Sequence, residues 1–413
     1  MKKSIIYLLP VFLIIIGLGC DEEFVGQTPT DDILPGKITN PVVENTYGGA
    51  IISYDIPTDK DICFVRAEYM RKGKFCTDHS SVYNNSIKVE GFGITDPVEV
   101  MLYTVDFSMN RSEPVKVTIQ PKEAYIHEVF KSIEPMNDFA GITLKWKNEI
   151  KLPVSITLLY KNGDQFVEKE TYFSDLKEGN HAFRSFGDVL TQFKVFVKDQ
   201  WDNCSDTLSF EFTPLYEVPL DRTKYKQVKL PFDCTSVQYG AWWAAWDNCH
   251  DGDTYDLGWV TALDNNPENE GHFPIMTTFD IGTSAQLSRV SMWMRGLVEY
   301  GTGAFKKVEF WGTNEMATNK PNEYWASDDR GSWKHDWIKL GEFETTKPSG
   351  PSGAATEDDK IWARENGFEF KFNVAPKVRY VRLLVNSTWS GSKSLELCEI
   401  AYMGNDKDSN DNK

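Results

Sequence analysis

The sequence predicts an all-β protein: two successive sandwich modules of one kind, followed by a third β domain of another. Three observations carry this. Short segments that alternate apolar and polar residues recur along the chain (GAIISYDIP, ICFVRAEY and VEVMLYTV, then GITLKWKN, PVSITLLY and TQFKVFVK), several per roughly 90 residues, which is sandwich spacing. Residues 103–121 and 196–214 superimpose without gaps at an offset of 93, pairing Asp106 with Asp199, Asn110 with Asn203, Ser112 with Ser205 and Pro121 with Pro214. Finally, 11 of the 13 tryptophans fall within residues 220–405, so the aromatic excess belongs to a single domain.

The 413 residues suit two to three domains. Lys and Arg total 44 against 61 Asp and Glu, a net charge of −17, which argues against nucleic acid as a partner. An aromatic content of 13% and a hydrophobic content of 41% are too high for a disordered chain.

Taken in order, residues 1–19 have the form of a secretory signal. Lys2 and Lys3 precede an apolar stretch from Ile5 to Leu18, interrupted by Pro10 and shorter than the roughly 20 residues a spanning helix needs. The GLGC that ends it at Cys20 resembles the lipobox of bacterial lipoproteins. That resemblance implies cleavage before Cys20 and a diacylglycerol on its thiol, with palmitate among the acyl chains, so that the lipid anchor is the sole attachment to the membrane. Residues 20–36 form a polar tether. Its DEE after Cys20 resembles the export signal of surface lipoproteins in glycan-foraging bacteria, although a plain tether reads the same way.

Residues 37–122 and 123–219 are the two sandwiches. Val115, Val117 and Ile119 in one copy, and Leu208, Phe210 and Phe212 in the other, have the period of a half-buried strand. The DFSMNRS and DQWDNCS segments ahead of them supply hairpin-turn residues. These modules resemble immunoglobulin or fibronectin type III-like domains, specifically the paired N-terminal ones of outer-membrane lipoproteins of polysaccharide-utilisation systems.

Residues 220–405 form the third domain, with strand-like segments MTTFDIG, LSRVSMWMR, FKKVEFWGT, WIKLGEF, FEFKFNV and VRYVRLLV and polar loops at 313–333 and 344–366. Residues 406–413 are a polar tail expected to be disordered. The six cysteines after Cys20 allow many pairings and none is assigned; no CxxC or Cys/His spacing fits a zinc site.

The runs HDGDTYDLGW, TTFDIGTSAQLSRVSMWMR, FKKVEFWGTNE and VRYVRLLVNSTWSGSKSLELCEIAYMG, in that order, resemble the discoidin (coagulation-factor type C) family. The resemblance implies a galactose-binding-like jelly roll that presents a sugar site on loops at one end. It also implies structural calcium: carboxylates from Asp251 and Glu399, and carbonyls from Asn248, Asp253 and Cys398. Asp256 stands where the family has Thr. Carboxylates crowded in one turn repel unless a cation or water neutralises them, so the alternative is a solvated acidic turn.

A sugar site pairs flat aromatic faces with planar polar groups. Arg295 matches the arginine that grips galactose hydroxyls in several members, whereas Val260 replaces a histidine that often accompanies it. Trp389, in NSTWSGSKS, is a stacking candidate, with a core or interdomain role as the alternative. Trp242 and Trp243, in AWWAAW, are the next; these and Trp246 lie too close together to share one environment and must divide between core and surface. Trp259, Trp293 and Trp311 are expected in the core.

The sequence contains no GxSxG, HExxH or P-loop, and we expect no enzyme. The expected function is capture of extracellular polysaccharide or oligosaccharide by a lipid-anchored, outward-facing protein working with outer-membrane glycan-uptake proteins. The alternative is a protein–protein interaction or adhesion module of such a complex.

Overall fold

The computed structural model describes residues 31–407 except 235–236, 238–239, 262–272, 318, 329–330 and 373–375. The signal, Cys20 and the start of the tether lie outside the described residues.

The first sandwich comprises β1 (Thr39–Thr46), β2 (Gly49–Asp55), β3 (Ile62–Arg71), β4 (Lys74–Ser81), β5 (Ser86–Glu90), β6 (Val98–Asp106) and β7 (Val115–Ile119). One sheet runs β1-β2-β5 and the other β4-β3-β6-β7. Alternate residues such as Ile52, Val65, Val89, Val100, Leu102 and Ile119 are buried between the sheets, as period-two patterning requires.

A short helix, α1 (Ile126–Lys131), leads into the second sandwich: β8 (Glu134–Asp138), β9 (Gly141–Lys147), β10 (Val154–Asn162), β11 (Gln165–Ser174), β12 (Glu178–Phe183), β13 (Thr191–Asp199) and β14 (Leu208–Phe212). Its sheets run β8-β9-β12 and β11-β10-β13-β14, the same three-plus-four arrangement strand for strand.

The internal repeat is one hairpin built twice. Asp106 accepts from the Asn110 backbone (2.8 Å) and side chain (3.0 Å), and the Ser112 hydroxyl accepts from Thr104 N–H (3.1 Å). Asp199 does the same with Asn203 (2.9 and 2.7 Å), and Ser205 with Val197 (2.9 Å). The buried carboxylates close the turns by satisfying donors that the β6–β7 and β13–β14 ladders leave unpaired.

The C-terminal domain contains β15 (Val218–Pro219), β16 (Lys226–Val228), β17 (Trp259–Val260), β18 (Ile275–Met294), β19 (Phe305–Thr313), β20 (Ile338–Glu344), β21 (Phe368–Lys371), β22 (Val378–Thr388) and β23 (Glu396–Asn405). The order β15-β23-β18-β22-β19-β20 forms the body; β16 and β21 also pair with β18, and β17 with β23. The long strand β18 links the two faces, pairing with β22 over Ile275–Asp280 and with β23 over Gln286–Met294. It turns at Gly282, whose φ of +79° and lack of a Cβ beside Lys224 permit the bend.

The loop expected at 344–366 ends in a helix, α2 (Glu357–Asn366). Thr356 and Asp359 form a reciprocal capping box at its start. The all-β reading passed over this short signal because the helix is only ten residues long and lies amid polar sequence.

Candidate functional site

Four loops converge at one end of the jelly roll. Residues 295–304 join β18 to β19, residues 389–395 join β22 to β23, residues 242–258 precede β17, and residues 345–356 follow β20. Antiparallel pairing places the corresponding strand ends together.

The tryptophan-rich approach forms two 3-10 turns, Trp242–Ala244 and Trp246–His250. They divide the three rings: Trp246 is buried against Phe279, Trp243 is half-buried, and Trp242 is 76% exposed. Arg295 follows the end of β18 and lies with its guanidinium 5.0 Å from the centre of the Trp243 ring, a cation–π distance. Its Nε donates to the Asp256 carbonyl (2.9 Å) and its Nη1 to Glu396 (3.2 Å), at the start of β23. Burial raises the Glu396 carboxyl above its ordinary value, and Arg295 partly opposes that rise.

A second arginine repeats the arrangement beside the first. Arg364, from α2, lies 4.9 Å over the Tyr255 ring and donates from Nε (2.8 Å) and Nη2 (2.7 Å) to the buried Glu299. Tyr255 packs on Gly296, next to Arg295, at a distance where any Cβ would meet its ring. Exposed Leu297 completes this neighbourhood. The sequence reading missed Tyr255, Glu299, Arg364 and Glu396, since no local pattern marks residues that meet across two loops, a helix and a strand.

The structure brings Arg295 together with Trp243, the neighbour of Trp242 in the same 3-10 turn, but places Trp389 in a different group. The Trp389 ring is half-buried, its Nε1 donates to Thr345 Oγ1 (2.8 Å), its face meets Tyr300 edge-on at 5.1 Å, and Lys306 lies 4.9 Å from it. Of the strand tryptophans, Trp259 is fully buried, while Trp293 and Trp311 are only partly so. Clefts of about 310 and 450 Å³ lie away from this end, where the sandwiches meet.

The residues assigned to calcium do not fit a cation as they stand. Glu399 lies inside β23 rather than before it, fully buried. One of its oxygens accepts from Arg222 Nη1 at 2.6 Å and the other from Gly252 N–H at 3.0 Å. Asp251 turns back to accept from Asp253 N–H, and Asp253 from the N–H groups of Tyr255 and Asp256. Asn248 donates to the Trp242 carbonyl. The Cys398 thiol, its pKa pushed up to about 12 by burial and then by Asp253, Glu399 and Asp251, donates to the carbonyls of Leu257 (2.9 Å) and Asp253 (3.5 Å). Hard-cation sites instead leave six to eight oxygens free to converge.

The fold and its loop end together define a class: paired fibronectin type III-like sandwiches bearing a discoidin-like jelly roll. Three family models tile it, each described as a domain of unknown function: residues 35–121 (DUF4959), 122–223 (DUF5126) and 246–404 (DUF5000). The chain is 30% identical to a SusE-like protein of Bacteroides, over 68% of this chain and 98% of that one, with a TM-score of 0.41. By that identity and coverage, the chain belongs to the SusE-like proteins. It is also similar to the C-terminal domain of a chitobiase from Bacteroides fragilis (13% identity, 46% of this chain and 100% of that one, TM-score 0.32). A third similarity is to a family 32 carbohydrate-binding module of Clostridium perfringens, solved with galactose (10% identity, 45% and 98%, TM-score 0.30). No curated protein matches the chain.

Proposed function

We propose that this protein is a non-catalytic, lipid-anchored protein of the outer cell surface that binds extracellular glycan at the loop end of its C-terminal domain, as an accessory of polysaccharide uptake. Membership of the SusE-like proteins supports the setting, and Cys20 would carry the lipid. Among the described residues no helix is long and apolar enough to cross a membrane.

One observation carries the binding reading: Arg295 lies over Trp243 and is held by Glu396 and the Asp256 carbonyl, and Trp242, next to Trp243 in the same turn, is exposed. A fixed guanidinium and carboxylate offer planar donors and acceptors to vicinal hydroxyls, while an exposed indole offers a face to the sugar's C–H patch. Arg295 has donors committed to the protein through Nε and Nη1, which fixes the orientation of the whole group and limits what a ligand must order on binding.

The test is affinity electrophoresis of the mature chain through gels containing plant, mucin and microbial polysaccharides, repeated with Trp242→Ala. Retardation in one gel, lost in the variant at unchanged thermal stability, is the expected result. Uniform migration across a broad panel would overturn glycan capture and favour a protein partner in an outer-membrane complex.

A further inference from the structure

We propose that the Arg222 guanidinium takes the place of the structural cation at the acidic turn, so that the C-terminal domain is assembled without calcium and its turn is tied to the domain's own first connection instead.

Glu399 is fully buried in the last strand, 177 residues beyond Arg222. A buried carboxylate requires a positive partner or several hydrogen bonds. In this chain both needs are met from within: Arg222 Nη1 lies 2.6 Å from one oxygen, and the Gly252 N–H lies 3.0 Å from the other. The guanidinium also fills the space along the turn. Gly252 has φ +101°, and a Cβ there would sit 3.4 Å from Arg222 Nη2. A divalent ion on the same carboxylate would lie within a few ångströms of a permanent positive charge, a repulsion that only displacement of Arg222 would relieve.

Asp251 and Asp253 are engaged as well: both accept from backbone N–H groups of their own turn, and the Asp253 carbonyl accepts from the Cys398 thiol. Among the described residues no three His, Cys, Asp or Glu side chains gather as metal ligands.

A calcium ion would staple two parts of one domain, but an arginine brings its own backbone with it. Arg222 begins the 3-10 turn Arg222–Lys224, capped by Asp221, in the connector between β15 and β16. Its contact with Glu399 therefore fastens the first connection of the C-terminal domain to the turn whose Asp256 carbonyl holds Arg295. Arg222 is a positioning residue, joining the start of the C-terminal domain to its loop end.

The experiment measures thermal unfolding of the full mature chain in EDTA and in calcium. Wild type should unfold at the same temperature, within about 1 °C, in EDTA and in about 5 mM calcium, because a ligand stabilises only a state that binds it. Arg222→Met should lower the transition by about 5 °C or more, as stranding a buried carboxylate does, with Arg222→Lys between the two. A wild-type transition several degrees higher in calcium than in EDTA, or one calcium per chain retained through dialysis by elemental analysis, would overturn the proposal. So would an Arg222→Met variant as stable as wild type. Should the Met variant not fold, the calcium titration of wild type by calorimetry decides alone: heat of binding refutes the substitution and its absence upholds it.

Discussion

Asn203, in the second sandwich, donates from Nδ2 to the carbonyl of Gly91 in the first, at 3.2 Å. The same Asn203 closes its own hairpin on Asp199, so the repeated turn serves in one copy as a local clasp and in the other as a clasp and an interdomain contact. Trp201, in that turn, lies across Gly91, and Lys72 donates to its carbonyl at 2.8 Å.

Gly91→Ala should separate these modules. Gly91 has φ +88°, and an added Cβ would stand 2.6–2.8 Å from the Trp201 indole, so backbone strain and overlap act together. The expected loss is about 1–3 kcal/mol, read as a lower unfolding temperature with a shifted Trp201 fluorescence maximum and a longer dimension by small-angle scattering. An unchanged scattering profile and transition would mean that the junction is not closed by this contact.

What was legible in the sequence was local. The repeat announced itself because Asp106, Asn110 and Ser112 and their partners 93 residues on are each required by short-range hydrogen bonds, and strand patterns follow the two-residue pleat. The site was only half legible. Arg295 and Trp243 could be named from the resemblance and the composition, but Glu396 lies 101 residues from Arg295 and Glu399 lies 177 from Arg222. Such pairs exist only once the strands are in register. The tryptophan excess misled for a related reason: Trp325, Trp333 and Trp337 are buried in one layer with Met276 and Leu384, and composition does not distinguish a packed indole from an exposed one.

Trp389→Ala should act on stability more than on binding. Its ring is held by Thr345 and Tyr300, so truncation removes a packed aromatic and leaves a hydroxyl without its donor. A loss of about 2–3 kcal/mol is expected, with glycan retardation kept at temperatures where the variant is folded. Lost retardation at full stability would instead return Trp389 to the ligand surface.

The second sandwich and the jelly roll should part in acid. Lys371 donates to buried Asp138, and Arg289 grips Glu217, which Arg184 also approaches. Burial alone would raise both carboxyls, but Lys371, Thr143 and the Phe139 N–H hold Asp138 below its ordinary value, and Arg289, Ser288 and Arg184 do the same for Glu217. In the unfolded chain these groups titrate near pH 4. The folded chain therefore binds their protons only at lower pH, and the stabilisation is complete above about pH 5 and lost as pH falls through the lowered folded values. Unfolding temperature should drop below about pH 4, and Lys371→Met should flatten part of that drop. A profile identical in the variant would remove Asp138 from the linkage.

Arg382 and Asp233 provide the sharpest stability test, because both side chains are fully buried, 149 residues apart in sequence. Arg382 Nη2 and Nε reach the same Asp233 oxygen at 2.7 and 3.1 Å, Nη2 also donates to the Pro231 carbonyl, and the guanidinium lies 4.5 Å from the Trp333 ring and 5.5 Å from Trp325. This pair orders the tryptophan layer against β22. Arg382→Met strands a carboxylate in that layer and should lower stability by about 3–5 kcal/mol. The double variant Asp233→Leu with Arg382→Met removes both charges and should recover much of the loss, since a buried pair replaced by apolar groups is often neutral. Chemical unfolding of the single and double variants separates the two effects. Equal losses in both would show that the aromatic contacts of Arg382, not its charge balance with Asp233, hold the layer together.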